Sequence, residues 1–253
     1  MSPSEFMYTR RSLNAATCVV LSLTLAGRTL PGRGAGEQSF RLIPTPPIIV
    51  PLEGIQGLTL IGARARAAVY RGRKAVELTQ PPGTDPNSLE SVALLDSLTF
   101  ADGTIELWVA GTLAPDADSS DRAFIGLVFR SSADGSRFDN VYLRPTNGRA
   151  DDQLRRNHST QYEAEPDYPW YRLRKESPGQ YESYVDLSAG AWTHLRVVVS
   201  GRHARLFVND ALQPCLVIDD LKSGASRGKI GLWIGSGTKG YFSHMVVTPA
   251  GTA

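Results

Sequence analysis

From Phe100 to Val109 the chain reads FADGTIELWV, with Ile105, Leu107 and Val109 on one side of a two-residue repeat and Glu106 and Trp108 on the other. An extended strand with one buried face satisfies that alternation, because successive side chains of a strand point to opposite faces. The constraint recurs. Short segments rich in β-branched and aromatic residues occur at Leu58–Ile61, Ala68–Tyr70, Lys74–Thr79, Ser91–Leu95, Val141–Arg144, Tyr181–Leu187, Trp192–Val199, Ala204–Val208, Cys215–Ile218, Lys229–Ile234 and Tyr241–Val247. Turn residues such as Asp102-Gly103, Asp134-Gly135, Gly201 and Asn209-Asp210 punctuate them. Ala123–Arg130 (AFIGLVFR) is almost wholly apolar and reads as a central strand buried on both faces. No segment sustains a helical repeat. The pattern predicts an all-β chain folded as an antiparallel β-sandwich.

At 253 residues and 42% hydrophobic the chain is long enough for one such domain with a packed core. Its formal charge of +2, with arginines interleaved among acids, gives no basic face of the kind that binds nucleic acid. P-loop, dinucleotide-glycine, zinc-cluster and Gly-x-Ser-x-Gly patterns are absent from the sequence.

The N-terminus reads as an export signal. Arg10-Arg11 precede a 12-residue apolar run, Ala15–Ala26, too short to cross a bilayer with ease but suited to a signal core. Thr9–Asn14 (TRRSLN) is similar to the twin-arginine motif. We expect a signal and leader over 1–36, a Pro-rich linker over 37–52 and one domain over 53–249, with a periplasmic or secreted location and no stable membrane insertion after cleavage. Cys18 would leave with the signal. Cys215 would then be the lone cysteine, unable to form an intrachain disulfide, and reads as a buried small hydrophobe.

One stretch breaks the strand pattern. Between Tyr142 and Tyr184 lie Tyr162, Tyr168, Tyr171 and Tyr181, together with Trp170, His158, Asn147 and Asn157, among arginines balanced by acids. Polar insertions of this length in compact domains are commonly functional, and residues 145–180 are expected to leave the sheet as such an insertion. Rings to stack on sugars, amides and guanidiniums to bond hydroxyls, and carboxylates to move protons are what a saccharide cleft requires. The candidate catalytic groups are His158, Asp151, Asp152, Tyr162 and Glu182. His158 titrates near neutrality. The acids are considered because glycoside hydrolysis generally uses two carboxyl groups. The candidate saccharide-binding groups are Arg144, Asn147, Arg155, Arg156, Asn157, Gln161, Tyr168, Trp170, Tyr171 and Arg174, where arginine offers a planar fork to a sugar carboxylate. No cofactor is expected. Asp116, Asp118 and Asp121 offer hard oxygen ligands for a structural calcium ion, without EF-hand spacing.

The run Gly190–Asn209 (GAWTHLRVVVSGRHARLFVN), then Gly228–Ile234 (GKIGLWI) and Tyr241–Val247 (YFSHMVV), resembles concanavalin-like jelly rolls of the LamG type. It is most similar to the 3-keto-disaccharide hydrolase, or glycoside-hydrolase-16-like, domains. Asp102–Glu106 (DGTIE) and Ala123–Arg130 match earlier strands of that pattern. The resemblance implies a jelly roll carrying a long functional insertion. It does not bring the Glu-x-Asp-x-x-Glu strand of family 16 glycosidases; Glu182–Asp186 (ESYVD) is the nearest approach. Three functions stand open: cleavage of a glycosidic bond by hydrolysis or elimination, non-catalytic carbohydrate binding, and a structural or adhesion role for an ion-paired loop.

Overall fold

The computed structural model describes residues 46–84 and 91–251. The expected signal, Cys18 and the first part of the linker lie outside the described residues.

Fifteen strands follow one another along this part of the chain: β1 Ile48–Val50, β2 Leu58–Ile61, β3 Arg64–Tyr70, β4 Arg73–Thr79, β5 Val92–Phe100, β6 Gly103–Leu113, β7 Ile125–Ser131, β8 Phe138–Leu143, β9 Thr160–Glu165, β10 Glu182–Ser183, β11 Thr193–Ser200, β12 His203–Val208, β13 Leu216–Ile218, β14 Gly228–Ile234 and β15 Thr238–Pro249. Two short helices, α1 Gln153–Asn157 and α2 Trp170–Glu176, flank β9. One sheet runs β13-β12-β11-β6-β15-β4-β3, with β1 paired to β15 off that path; the other runs β10-β9-β8-β7-β14-β5-β2. Every registered pairing is antiparallel, so the sandwich expected from the alternating sequence is the fold observed.

The alternation explains the layers. Ile105, Leu107 and Val109 of β6 turn inward to join Ile125, Leu127 and Phe129 of β7 in one core. Each fully buried aliphatic or aromatic side chain contributes about 1.5–3 kcal/mol. β7 is buried along its whole length, as its apolar sequence requires. At one end of the sandwich the buried Arg130 guanidinium donates to the carbonyls of Ala101, Gly201 and Gly224 and pairs with Asp102, so its charge is compensated on several sides.

Three sequence expectations change. The end of the Pro-rich linker is β1, registered Ile48 to Val247, because Ile48–Val50 has the β-branched content to add an edge strand. Residues 145–180 do not leave the sheet as one excursion. Thr160–Glu165 returns as β9, paired along its length with β8 and wholly buried. Helix also occurs here: α1 begins at Asp152, whose carboxylate accepts from the Arg155 N–H, and α2 begins after Pro169. The approach to α1 passes over a 3-10 turn at Pro145–Asn147. Gly148 then packs so closely that a Cβ there would lie 2.4 Å from the Leu187 nitrogen, so only glycine fits.

Candidate functional site

β10 is two residues long, but its register decides the site. Glu182 pairs with Gln161 of β9, and Tyr142 of β8 lies opposite Gln161 on the other side. These three share the outer face of the second sheet, since Tyr162 and Val141 alternate with them and turn into the core. α1 ends immediately before β9, where the His158 N–H caps it by donating to the Arg155 carbonyl. The chain therefore presents His158 at the mouth of the row that contains Glu182.

His158 Nε2 lies 3.1 Å from Glu182 Oε1. Arg174, half-buried on α2, forks onto the same carboxylate, with Nη2 2.6 Å and Nε 2.9 Å from Oε2. The Glu182 side chain is only 4% exposed and the His158 ring 18%. Burial holds the His158 pKa below its ordinary value; Arg174 adds to that effect, while Glu182 opposes it. The imidazole is therefore neutral at neutral pH, with its orientation held by a carboxylate. A cavity of about 620 Å³ opens over this group, lined by Leu154, Asn157, His158, Arg174, Glu182 and Tyr184 among others. Arg156 places its guanidinium 5.1 Å from the centre of the Tyr184 ring and donates to its hydroxyl at 3.3 Å.

A second layer fixes the first. Gln161 Oε1 accepts from Arg144 at 3.1 Å and from Arg174 at 3.5 Å, while its amide nitrogen donates to the Tyr162 and Tyr181 carbonyls. Arg144 also donates to the Tyr142 hydroxyl at 3.0 Å. The Trp170 ring has Arg144 5.5 Å and Arg174 4.7 Å from its centre, so cation–π contacts tie the start of α2 to both guanidiniums.

The structure thus brings together His158, Glu182, Arg174, Asn157, Gln161, Arg144 and Trp170 of the sequence-derived candidates, with Arg156 beside them on Tyr184, and sets the rest apart from the His158–Glu182 pair. Tyr162 is fully buried; its hydroxyl donates to Asp139 at 2.6 Å and accepts from the Lys222 N–H at 2.7 Å. It faces the core and leaves the catalytic set. Asn147 is buried and braces the α1–β9 turn through the His158 carbonyl, with Arg155 donating to it at 3.4 Å. Asp152 is spent on the helix cap, and Asp151 is exposed. Tyr168 is half-buried under Arg172, away from Trp170, while Tyr171 is exposed beside Trp170. The tyrosines and tryptophan therefore do not make one wall.

Asn140 was not singled out from the sequence, where Glu163 and Glu165 count only among the acids that could pair with Asp151 or Asp152. Asn140 donates to Glu163 at 2.9 Å, and Glu163 also accepts from the Trp170 N–H. Burial pushes the Glu163 pKa up. The signal was the two-residue spacing of Gln161, Glu163 and Glu165, which puts all three on one strand face. Elsewhere, Asp118 accepts from Ser120, and Asp121 accepts from the Asp118 N–H and from Ser236. Among the described residues no group of three or more His, Cys, Asp or Glu side chains is placed to hold a metal ion. Cys215 is half-buried against the core, less enclosed than expected, and desolvation pushes its thiol up to about 12, which does not suit a nucleophile.

No family model and no curated protein matches the sequence. Solved structures do match. A Bacillus subtilis protein of unknown function with a galectin-like fold superposes with a TM-score of 0.51 at 13% identity, over 81% of this chain and 96% of that one. A Parabacteroides distasonis protein provisionally named a glycosyl hydrolase gives 0.50 at 11%, over 80% and 99%. The Bacillus subtilis carbohydrate-binding module CBM66 gives 0.47 at 15%, over 73% and 94%. At these identities the likeness establishes the fold, a galectin-like, concanavalin-like jelly roll, and the chemistry rests on the site itself.

Proposed function

We propose that the cavity over His158 receives a saccharide and that His158 acts as a general base in breaking a glycosidic bond by elimination. The observation that carries this reading is the His158–Glu182 pair, at 3.1 Å, inside an open cavity. A neutral imidazole takes the proton from the carbon beside a carboxyl or carbonyl group of the sugar. The electron pair left behind forms a carbon–carbon double bond as the glycosidic oxygen departs, and solvent protonates that oxygen. Glu182 orients the imidazole and stabilises the imidazolium that forms. Arg174 lines the cavity and offers its guanidinium to the charge that develops on the sugar's carboxyl or carbonyl oxygens. Elimination is preferred to two-carboxylate hydrolysis because Glu182, the one carboxylate that lines this cavity among the described residues, is already bound by Arg174 and His158. The twin-arginine-like leader supports a substrate met outside the cytoplasm.

Trp170 is 36% exposed and Tyr171 61% exposed beside α2, and this supports a second reading as a non-catalytic carbohydrate-binding domain. The two separate when the protein is incubated with a panel of plant, algal and microbial saccharides. New reducing ends with ultraviolet absorbance of unsaturated sugars are expected, and both signals vanish in His158→Ala. Reducing ends without that absorbance point to hydrolysis. Tight retention on a glycan with neither signal leaves the binding module.

A further inference from the structure

β9 carries a second feature that the His158 site does not use. Glu165, at the far end of the strand, is 5% exposed, and neither carboxyl oxygen has a hydrogen-bond partner among the described residues. Buried polar groups in folded proteins nearly always find partners, so an orphaned carboxyl calls for an explanation. Glu165 lines a separate cavity of about 340 Å³, where the β7–β8 hairpin, the loop before α2 and the loop before β14 meet. That volume lies within the range of small-ligand sites, about 300–1,000 Å³.

We propose that this cavity binds a primary ammonium group, with Glu165 as its carboxylate partner. The argument is electrostatic. The charges that act on Glu165 most strongly are the neighbouring acids Glu163 and Asp167, and Phe138 is its apolar cross-strand neighbour. Burial, with those two acids, pushes the Glu165 pKa up to about 8, so a proton now fills the role of the missing cation. Three basic residues of the cavity wall are occupied elsewhere: Arg130 by Asp102, Arg137 by Asp167 and Lys222 by Asp220. Arg227 also lines the cavity; it is exposed and makes no ion pair among the described residues, Glu165 included. The Glu165 oxygens are shielded from solvent, and the exposed Arg137–Asp167 pair lines the same cavity. Exposed ion pairs add little net stability, so that pair parts easily. The incoming ammonium then meets Asp167 and Glu165 together, and the Glu165 proton is released to solvent.

The sugar as carrier of this amine rests on the reading of the His158 cavity; the ammonium preference does not. The test uses a 2-aminoethyl glycoside, its N-acetylated counterpart and 2-aminoethanol as probes for calorimetric titration of the full chain at pH 7, in buffers of different ionisation enthalpy. Binding of both amines is expected, with release of about one proton per amine bound and no binding of the acetylated glycoside. Glu165→Gln reproduces the shape and neutrality of the protonated side chain, so it stays folded. It is expected to bind the amines about ten- to a hundredfold more weakly, without proton release. His158→Ala is expected to bind them as the parent does. Equal affinity in Glu165→Gln, equal affinity for the acetylated glycoside, or no amine binding at all overturns the proposal. Amine binding by a chain that cleaves no saccharide upholds this site and removes only the reading of the His158 cavity.

Discussion

His158 and Glu182 stand 24 positions apart in the sequence and 3.1 Å apart in space, joined by the two-residue pairing of β10 with β9. The same carboxylate is forked by Arg174 on its other side. Glu182 therefore serves as the fixed point from which both the imidazole and the guanidinium of the cavity take their positions.

Removing the proposed base tests this directly. His158→Ala is expected to lower the cleavage rate by about 10²–10⁴-fold, the usual contribution of a positioned general base, with an unchanged unfolding midpoint. In the parent, the acid limb of kcat/KM falls below the ordinary histidine range, since burial and Arg174 hold the imidazole's pKa down. In Glu182→Gln the influence that raises it is gone, so the limb moves to still lower pH while the rate at its plateau drops. A limb at an unchanged pH in Glu182→Gln would show that the pair does not act as a unit.

Tyr162→Phe separates structure from catalysis. The hydroxyl joins Asp139 to the Lys222 N–H inside the core, so its loss leaves buried partners unsatisfied, at a cost of about 1–3 kcal/mol. Urea unfolding should show that loss, while turnover per folded molecule stays at the parent level. A fall in turnover without a fall in stability would return Tyr162 to the site.

The contrast between Tyr162 and Gln161 shows what the sequence displayed and what it hid. The sandwich was legible because Ile105, Leu107 and Val109 keep a strict period with polar partners between them. In β9 the same period runs through TQYEAE, where polar side chains occupy one face and Tyr162 and Ala164 the other. A polar outer face reads as solvated, yet α2, Arg144 and Asn140 cover part of it and bond Gln161 and Glu163. The residue types of the site were visible for that reason, but their grouping was not. His158 meets Glu182 only through a strand too short to leave a periodic trace, and Asn147 and Asp152 are drawn into backbone capping that depends on where the turns fall.

Glu165 makes stability depend on pH in a direction opposite to that of an ion-paired acid. Its folded pKa, about 8, lies above the ordinary carboxylate value of 4.5, so between them the folded chain holds a proton that the unfolded chain has lost. Stability is therefore greatest below the unfolded value and declines as pH rises through the folded one. Glu165→Gln removes the ionisation. It should match the parent near pH 4 and exceed it near pH 9 by on the order of a few kcal/mol, each pKa unit being worth about 1.4 kcal/mol. Parallel pH–stability curves for the two proteins would place the carboxyl in contact with solvent.

α2 is seven residues long, well under the roughly 12–15 that an isolated helix needs in water, so packing must hold it. Leu173 is its single buried side chain, 1% exposed within the main core, and lies between Trp170 and Arg174 in the sequence. Leu173→Ala is expected to cost about 2–5 kcal/mol and to loosen the helix that carries Arg174. Turnover should then fall even at temperatures where the sandwich remains folded, and the emission of Trp170, freed from its two guanidiniums, should change before the global transition. Leu173→Met keeps the volume and is expected to cost less than about 1.5 kcal/mol with the site intact. If Leu173→Ala lowered stability but left turnover per folded molecule untouched, Arg174 would not need α2 to reach Glu182, and the fork on that carboxylate would have to be set from the β10 side alone.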